Sequence, residues 1–119
     1  MKKLLLILIC GIILVGCSNE NENNLINYKE AKEMMINDGA ILIDVRTAEE
    51  YQKNHIEGAT LLSLDTITKD QVATITTNKE DIIIVYCQSG KRSSQAKEQL
   101  KELGYKKVYD LGAMSNWEE

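Results

Sequence analysis

The sequence predicts an α/β fold, a mainly parallel central sheet flanked by helices, and three observations carry that expectation. Two short runs, Ile41-Leu42-Ile43-Asp44-Val45 and Ile82-Ile83-Ile84-Val85-Tyr86, are almost wholly apolar and rich in β-branched residues. Runs this short and this uniformly apolar read as strands buried on both faces. Segments with helical spacing alternate with them, and two of these open with the form of a capping box. Proline and phenylalanine are both absent, so aliphatic side chains must build the core, with the tyrosines and Trp117 at its edges.

In chain order, Asn27-Tyr28-Lys29-Glu30 opens a helix that runs through Ala31, Met34 and Met35 to a stop at Gly39. Ile41–Val45 is the first clear strand. Thr47-Ala48-Glu49-Glu50 starts a short helix through Tyr51, and Arg46 and Glu50, four residues apart, are expected to pair across its first turn. A strand is expected within His55–Leu64 and a weak helix from Thr68 to about Ile75. After the strand Ile82–Tyr86, Ala96, Leu100 and Leu103 recur at i, i+4 and i+7 and predict a helix over Ser93–Leu103. Gly104 ends it, and Lys107–Leu111 is the last strand.

The chain begins with a different chemistry. Met1-Lys2-Lys3 precedes an apolar run from Leu4 to Val15, too short to span a bilayer comfortably but suited to a signal peptide. It closes Leu14-Val15-Gly16-Cys17, which resembles a bacterial lipobox, where the cysteine receives a diacylglycerol before cleavage. That resemblance implies a lipoprotein signal peptide over residues 1–16, lipidation (palmitate-type acylation) at Cys17, and a protein anchored extracytoplasmically on a bacterial cell membrane. More than one acyl chain gives stable attachment. Ser18 to Asn24 is polar and lacks apolar residues, so residues 17–26 read as a tether and 27–119 as one domain.

Charge and cysteine usage narrow the function. The formal net charge is −4, and losing Lys2 and Lys3 makes the balance more acidic, which argues against nucleic acid as a partner. Of the three cysteines, Cys10 leaves with the signal and Cys17 becomes a thioether, so Cys87 alone stays a free thiol and no internal disulfide forms. No His, Cys or carboxylate group has metal-ligand spacing, so no metal or cofactor is expected. A monomer is expected.

Cys87 ends its strand, and the loop Gln88-Ser89-Gly90-Lys91-Arg92-Ser93 leads into the next helix. In an open α/β sheet that is where ligands bind. Free N–H groups and the positive end of the helix dipole stabilise an anion there. Gly90 permits a tight turn, and Lys91 and Arg92 add positive charge, favouring the thiolate. A structural cysteine beside a solvated turn would need neither the glycine nor the cations. Against the acidic background, the Lys91-Arg92 pair suits a small anionic substrate.

From Cys87 to Arg92 the pattern is C-x4-R. With Asp44-Val45-Arg46-Thr47-Ala48-Glu49-Glu50-Tyr51, then His55-Ile56-Glu57-Gly58-Ala59 and Gly112-Ala113-Met114 up to Trp117, it resembles the single-domain rhodaneses, sulfurtransferases that carry sulfur as a cysteine persulfide. The tyrosine-phosphatase loop, C-x5-R, is one residue longer. The resemblance implies a rhodanese-like fold and Cys87 as the catalytic nucleophile. It implies a loop Gln88 through Ser93 that cradles the substrate, and transfer from a thiosulfate-like donor to a thiol or cyanide acceptor. Asp44 and Arg46 are candidate supporting residues, and His55 is architectural rather than acid–base. Asn54 and Glu57 replace the glycine and proline common in this segment, and Ala113 stands where a second glycine is common. Two other classes stay open: a redox or persulfide-binding module in which Cys87 forms a mixed disulfide, and a phosphatase or arsenate reductase of the same ancestry.

Overall fold

The computed structural model describes residues 24–118; the expected signal peptide, Cys17 and most of the expected tether lie outside the described residues. Four parallel strands, β1 (Ile41–Asp44), β2 (Thr60–Leu61), β3 (Ile82–Cys87) and β4 (Lys107–Ala113), form one sheet in the order β2-β1-β3-β4. The helices are α1 (Tyr28–Asp38), α2 (Ala48–Lys53), α3 (Lys69–Ala73) and α4 (Lys91–Glu102). Short 3-10 turns span Leu64–Thr66 and Met114–Asn116. Among the described residues, no helix is long and apolar enough to cross a membrane.

Strand parity divides the core into two layers. Ile43, Val45, Ile83, Val85 and Cys87 pack with Ala96 and Leu100 of α4 and Val72 of α3. Leu42, Ile84 and Tyr86 pack on the other face with Ala31 of α1, Ile56 and Leu111. The alternation along β3 thus assigns the thiol to the α4 side. Both capping boxes are present, Asn27 with Glu30 and Thr47 with Glu50.

Several boundaries differ from the sequence expectation. The strand expected within His55–Leu64 is only Thr60–Leu61, because most of that segment is loop that covers the sheet's end. Helix α4 starts at Lys91 rather than Ser93, since Gly90 serves as its N-cap with φ 101°. Strand β4 runs past Leu111 to Ala113: the pairing shifts so that Val85 meets Asp110 and Tyr86 meets Gly112. Leu111 is the extra residue of this bulge, and Cys87 is set opposite Ala113. The last residues of the expected tether, Asn24–Ile26, lie along β4. Leu25 bridges to Asp110, where Asp110 N–H donates to Asn24 O and Ile26 N–H to Asp110 O. Tyr86 is fully buried instead of sitting at an edge.

Candidate active site

The site is assembled at the carboxyl ends of β1 and β3. Cys87 is completely buried, and its Sγ accepts N–H bonds from Gly90 at 3.0 Å and Ser93 at 3.2 Å. Both donors belong to the first turn of α4 or its cap, groups that have no partner inside the helix. The sulfur therefore takes the place a capping oxygen usually fills, and Gly90 offers no side-chain cap of its own. Ser93 Oγ donates to Gly90 O at 3.1 Å and closes the loop on itself. Gln88 and Ser89 are exposed above the sulfur, and Lys91 is exposed at the helix start.

A buried polar network underlies this loop. The Asp44 carboxylate accepts from Arg46 N–H at 2.9 Å, from Arg46 Nη2 at 2.7 Å and from the Tyr86 hydroxyl at 2.7 Å. Tyr86 Oη in turn accepts Ile56 N–H at 3.0 Å. Arg46 also donates to Asn54 O at 2.7 Å and, through Nη1, to Gln88 Oε1 at 3.2 Å. No buried side-chain polar atom among the described residues lacks a partner, as burial of a charge requires. The Asp44 hydrogen bond raises the Arg46 guanidinium pKa above its usual value despite burial, and burial pushes the Tyr86 phenol well above its usual range. Asp44 and Arg46 are thus supports beneath the site, and through Gln88 they reach the residue next to Cys87.

The ion pair expected between Arg46 and Glu50 does not form. Glu50 instead meets Arg92 in a two-pronged pair, Nη1 to Oε1 at 2.8 Å and Nη2 to Oε2 at 3.1 Å. The reason is rotational: Arg46 precedes the Thr47 cap and turns inward to a carboxylate two residues back, which leaves Glu50 facing the start of α4. The Arg92 bond, followed by the Thr47 backbone N–H, holds the Glu50 carboxyl at about 2. The Arg92 guanidinium is raised, first by Glu50 and, less strongly, by the Cys87 sulfur.

His55 is exposed, stacks on Tyr51 at 3.7 Å between ring centroids, and shares a 2.8 Å hydrogen bond through Nδ1 with Tyr51 O. It supports the turn after α2 and takes no place beside the sulfur. Trp117 packs edge-on against Tyr28 at 4.8 Å. Asn54 is extended, with φ −170°, so the position needs no glycine. Among the described residues, no group of His, Cys, Asp or Glu could hold a metal ion. Two features escaped the sequence reading: the Gln88 side chain as the link to Arg46, and Glu50 as the partner of Arg92. Glu50 lies within the Asp44–Tyr51 stretch, so the residue was visible although its partner was not.

The rhodanese-like domain family matches residues 27–119. Thiosulfate sulfurtransferase PspE of Escherichia coli K12 is 42% identical over 74 residues, covering 62% of this chain and 70% of PspE. Thiosulfate sulfurtransferase GlpE of Coxiella burnetii is 33% identical over 93 residues, covering 77% of this chain and 84% of GlpE. Among solved structures, a rhodanese from E. coli determined with anions is 40% identical with a TM-score of 0.61, covering 65% of this chain and 89% of that one. Human single-domain sulfurtransferase TSTD1, at 24% identity and a TM-score of 0.68 over 79% of this chain and 94% of its own, shares the fold.

Proposed function

The chain belongs to the rhodanese-like domain family, and from that footing we propose that it is a thiosulfate sulfurtransferase-like enzyme that carries sulfur on Cys87. The observation that carries this reading is the pair of N–H groups, Gly90 and Ser93, aimed at Cys87 Sγ from the amino end of α4. Donors placed this way stabilise a sulfur anion before and after it gains a second sulfur. The names of PspE and GlpE, whose sequences cover most of the domain, support thiosulfate as donor.

In the first half-reaction the Cys87 thiolate attacks the outer sulfur of thiosulfate. The S–S bond of the donor breaks, sulfite leaves with the bonding pair, and Cys87 becomes a persulfide anion. In the second, a thiolate or cyanide attacks the outer sulfur of that persulfide and returns Cys87 as thiolate. No net electron or proton change falls on the protein. Gln88 through Ser93 form the cradle, and Arg46 and Asp44 hold its Gln88 end. We also propose that Cys17 is lipidated and anchors the enzyme extracytoplasmically on the bacterial membrane; the lipobox-like Leu14-Val15-Gly16-Cys17 supports this.

Incubation with thiosulfate followed by intact-mass measurement tests the transfer. Wild type should gain one sulfur atom on Cys87 and release one sulfite, and Cys87→Ser should do neither. A thiol adduct in place of the added sulfur would favour the redox module, and phosphate-ester turnover without sulfite release would favour the hydrolase.

A further inference from the structure

Strand β4 changes register beside the site, and the side chains that hold this change lie outside the Cys87 loop. The ladder pairs Val85 with Asp110 but Tyr86 with Gly112, so Cys87 comes opposite Ala113. An unbroken ladder would put Leu111 opposite Tyr86 and Gly112 opposite Cys87. The Leu111–Gly112 peptide is therefore displaced, and side chains meet both of its polar groups. The Asp110 carboxylate accepts Gly112 N–H at 2.8 Å, and Asn116 Nδ2 donates to Leu111 O at 2.8 Å. Gly112 sits at φ 86°, a left-handed conformation that glycine adopts without strain. Asp110 is itself fixed, because it is buried and its backbone N–H and C=O bond to Asn24 and Ile26.

This clamped peptide adjoins Gly90. A carbon added at Gly90 would touch Gly112 Cα and Ala113 N at 3.7 Å. Gly90 is also the cap of α4, and its N–H points at Cys87 Sγ at 3.0 Å. Adjacent groups thus run from the Asp110 carboxylate through Gly112 and Gly90 to the sulfur.

We propose that Asp110 is a positioning residue for sulfur transfer. With Asn116 it clamps the Leu111–Gly112 peptide as a floor beside Gly90, and so aims the Gly90 N–H at Cys87 Sγ. This rests on the sulfurtransferase reading and adds a residue that acts through the backbone rather than on the sulfur. Without the Asp110 acceptor the peptide is free to turn, and the sulfur anion loses the fixed aim of one of its two N–H donors. Removing such a donor outright costs about 10²–10³ in rate. Loosening its support should cost about tenfold.

The test uses the full-length chain and compares wild type with Asp110→Ala, Asp110→Asn and Asn116→Ala. Single-turnover sulfite release at saturating thiosulfate should slow about tenfold in Asp110→Ala, with the half-saturating concentration kept within about twofold. Asparagine keeps the acceptor oxygen, so Asp110→Asn should run within about twofold of wild type. Hydrogen exchange at the Gly90 amide should quicken in Asp110→Ala and not in Asp110→Asn. Tyr105→Phe is the control: it removes a 2.6 Å bond to Thr76 O, ahead of the first residue of β4. It should lower the melting temperature without slowing sulfite release. A full-rate Asp110→Ala, an Asp110→Asn as slow as the alanine variant, or equal slowing in Tyr105→Phe would overturn the proposal. If Asp110→Ala fails to fold, Asn116→Ala decides. Sulfite release about threefold slower with faster Gly90 exchange is then expected, and wild-type values for both would overturn the clamp. Wild type that releases no sulfite sinks the sulfurtransferase reading itself. Gly90 exchange then judges the clamp alone, and equal exchange in wild type and Asp110→Ala would overturn it.

Discussion

Asp44→Asn should be among the most damaging single-atom exchanges in this domain. Asp44 is fully buried and Arg46 is 2% exposed. The carboxylate accepts from the Arg46 backbone and side chain and from the Tyr86 hydroxyl. Asparagine keeps one acceptor oxygen and turns an NH2 toward groups that are themselves donors. A buried guanidinium then loses its counter-charge, an effect of about 3–5 kcal/mol. Against a typical domain stability of about 5–15 kcal/mol, that is a fifth or more. With a urea slope of about 1–1.5 kcal/mol/M, the unfolding midpoint should fall by roughly 2–5 M. Glu50→Gln supplies the control, since it also removes one carboxylate charge from an arginine. That pair is about one-third exposed, so water screens it and its loss should weigh about 0.2–1 kcal/mol. Equal midpoint shifts for the two variants would refute the claim that burial sets the difference.

Three further outcomes are expected. Gly90→Ala should destabilise by about 1–2 kcal/mol, because φ is 101° while a Cβ would meet backbone only at 3.7 Å; it should also slow sulfur uptake, and an unchanged melting temperature would refute the backbone assignment. The Glu50 contribution to stability should be complete above pH 4.5 and fade as pH falls toward 2, because its folded value lies below the unfolded one; denaturation across that window should show wild type and Glu50→Gln converging at the acid end. Wild-type protein should incorporate labelled fatty acid and enter a detergent phase, and Cys17→Ser should do neither; a soluble, unlabelled wild type would remove the anchor.

Where local chemistry decides, the sequence was readable. The isoleucine-rich runs of β1 and β3, the two capping boxes and the Gly39 and Gly104 stops all depend on neighbours within four residues. Cys87 was identifiable as well, because a strand end, a glycine and a helix start suffice to place it. The Arg46–Glu50 pairing failed because spacing on a helix ranks local partners, whereas the actual partner of Glu50 lies 42 residues away. Gln88 was seen as part of the cradle, but nothing local points its amide at Arg46, also 42 residues distant. The Leu64–Thr66 turn carries no periodic pattern, and the β4 bulge arises from its fit to β3. Both are settled by tertiary packing.

The bridge between Leu25 and Asp110 has a consequence for handling the protein. Strand β4 is the outer strand on that side of the sheet, and Asn24–Ile26 satisfies both backbone groups of Asp110. A fragment cut at residue 27, where the family match begins, would uncover that N–H and C=O together with the Val108 carbonyl that Asn24 Nδ2 caps at 2.9 Å. Bare backbone on an outer strand recruits the same strand of another molecule. Asn24–Ile26 act as a guard against self-association, and fragments for solution work should start no later than Asn24.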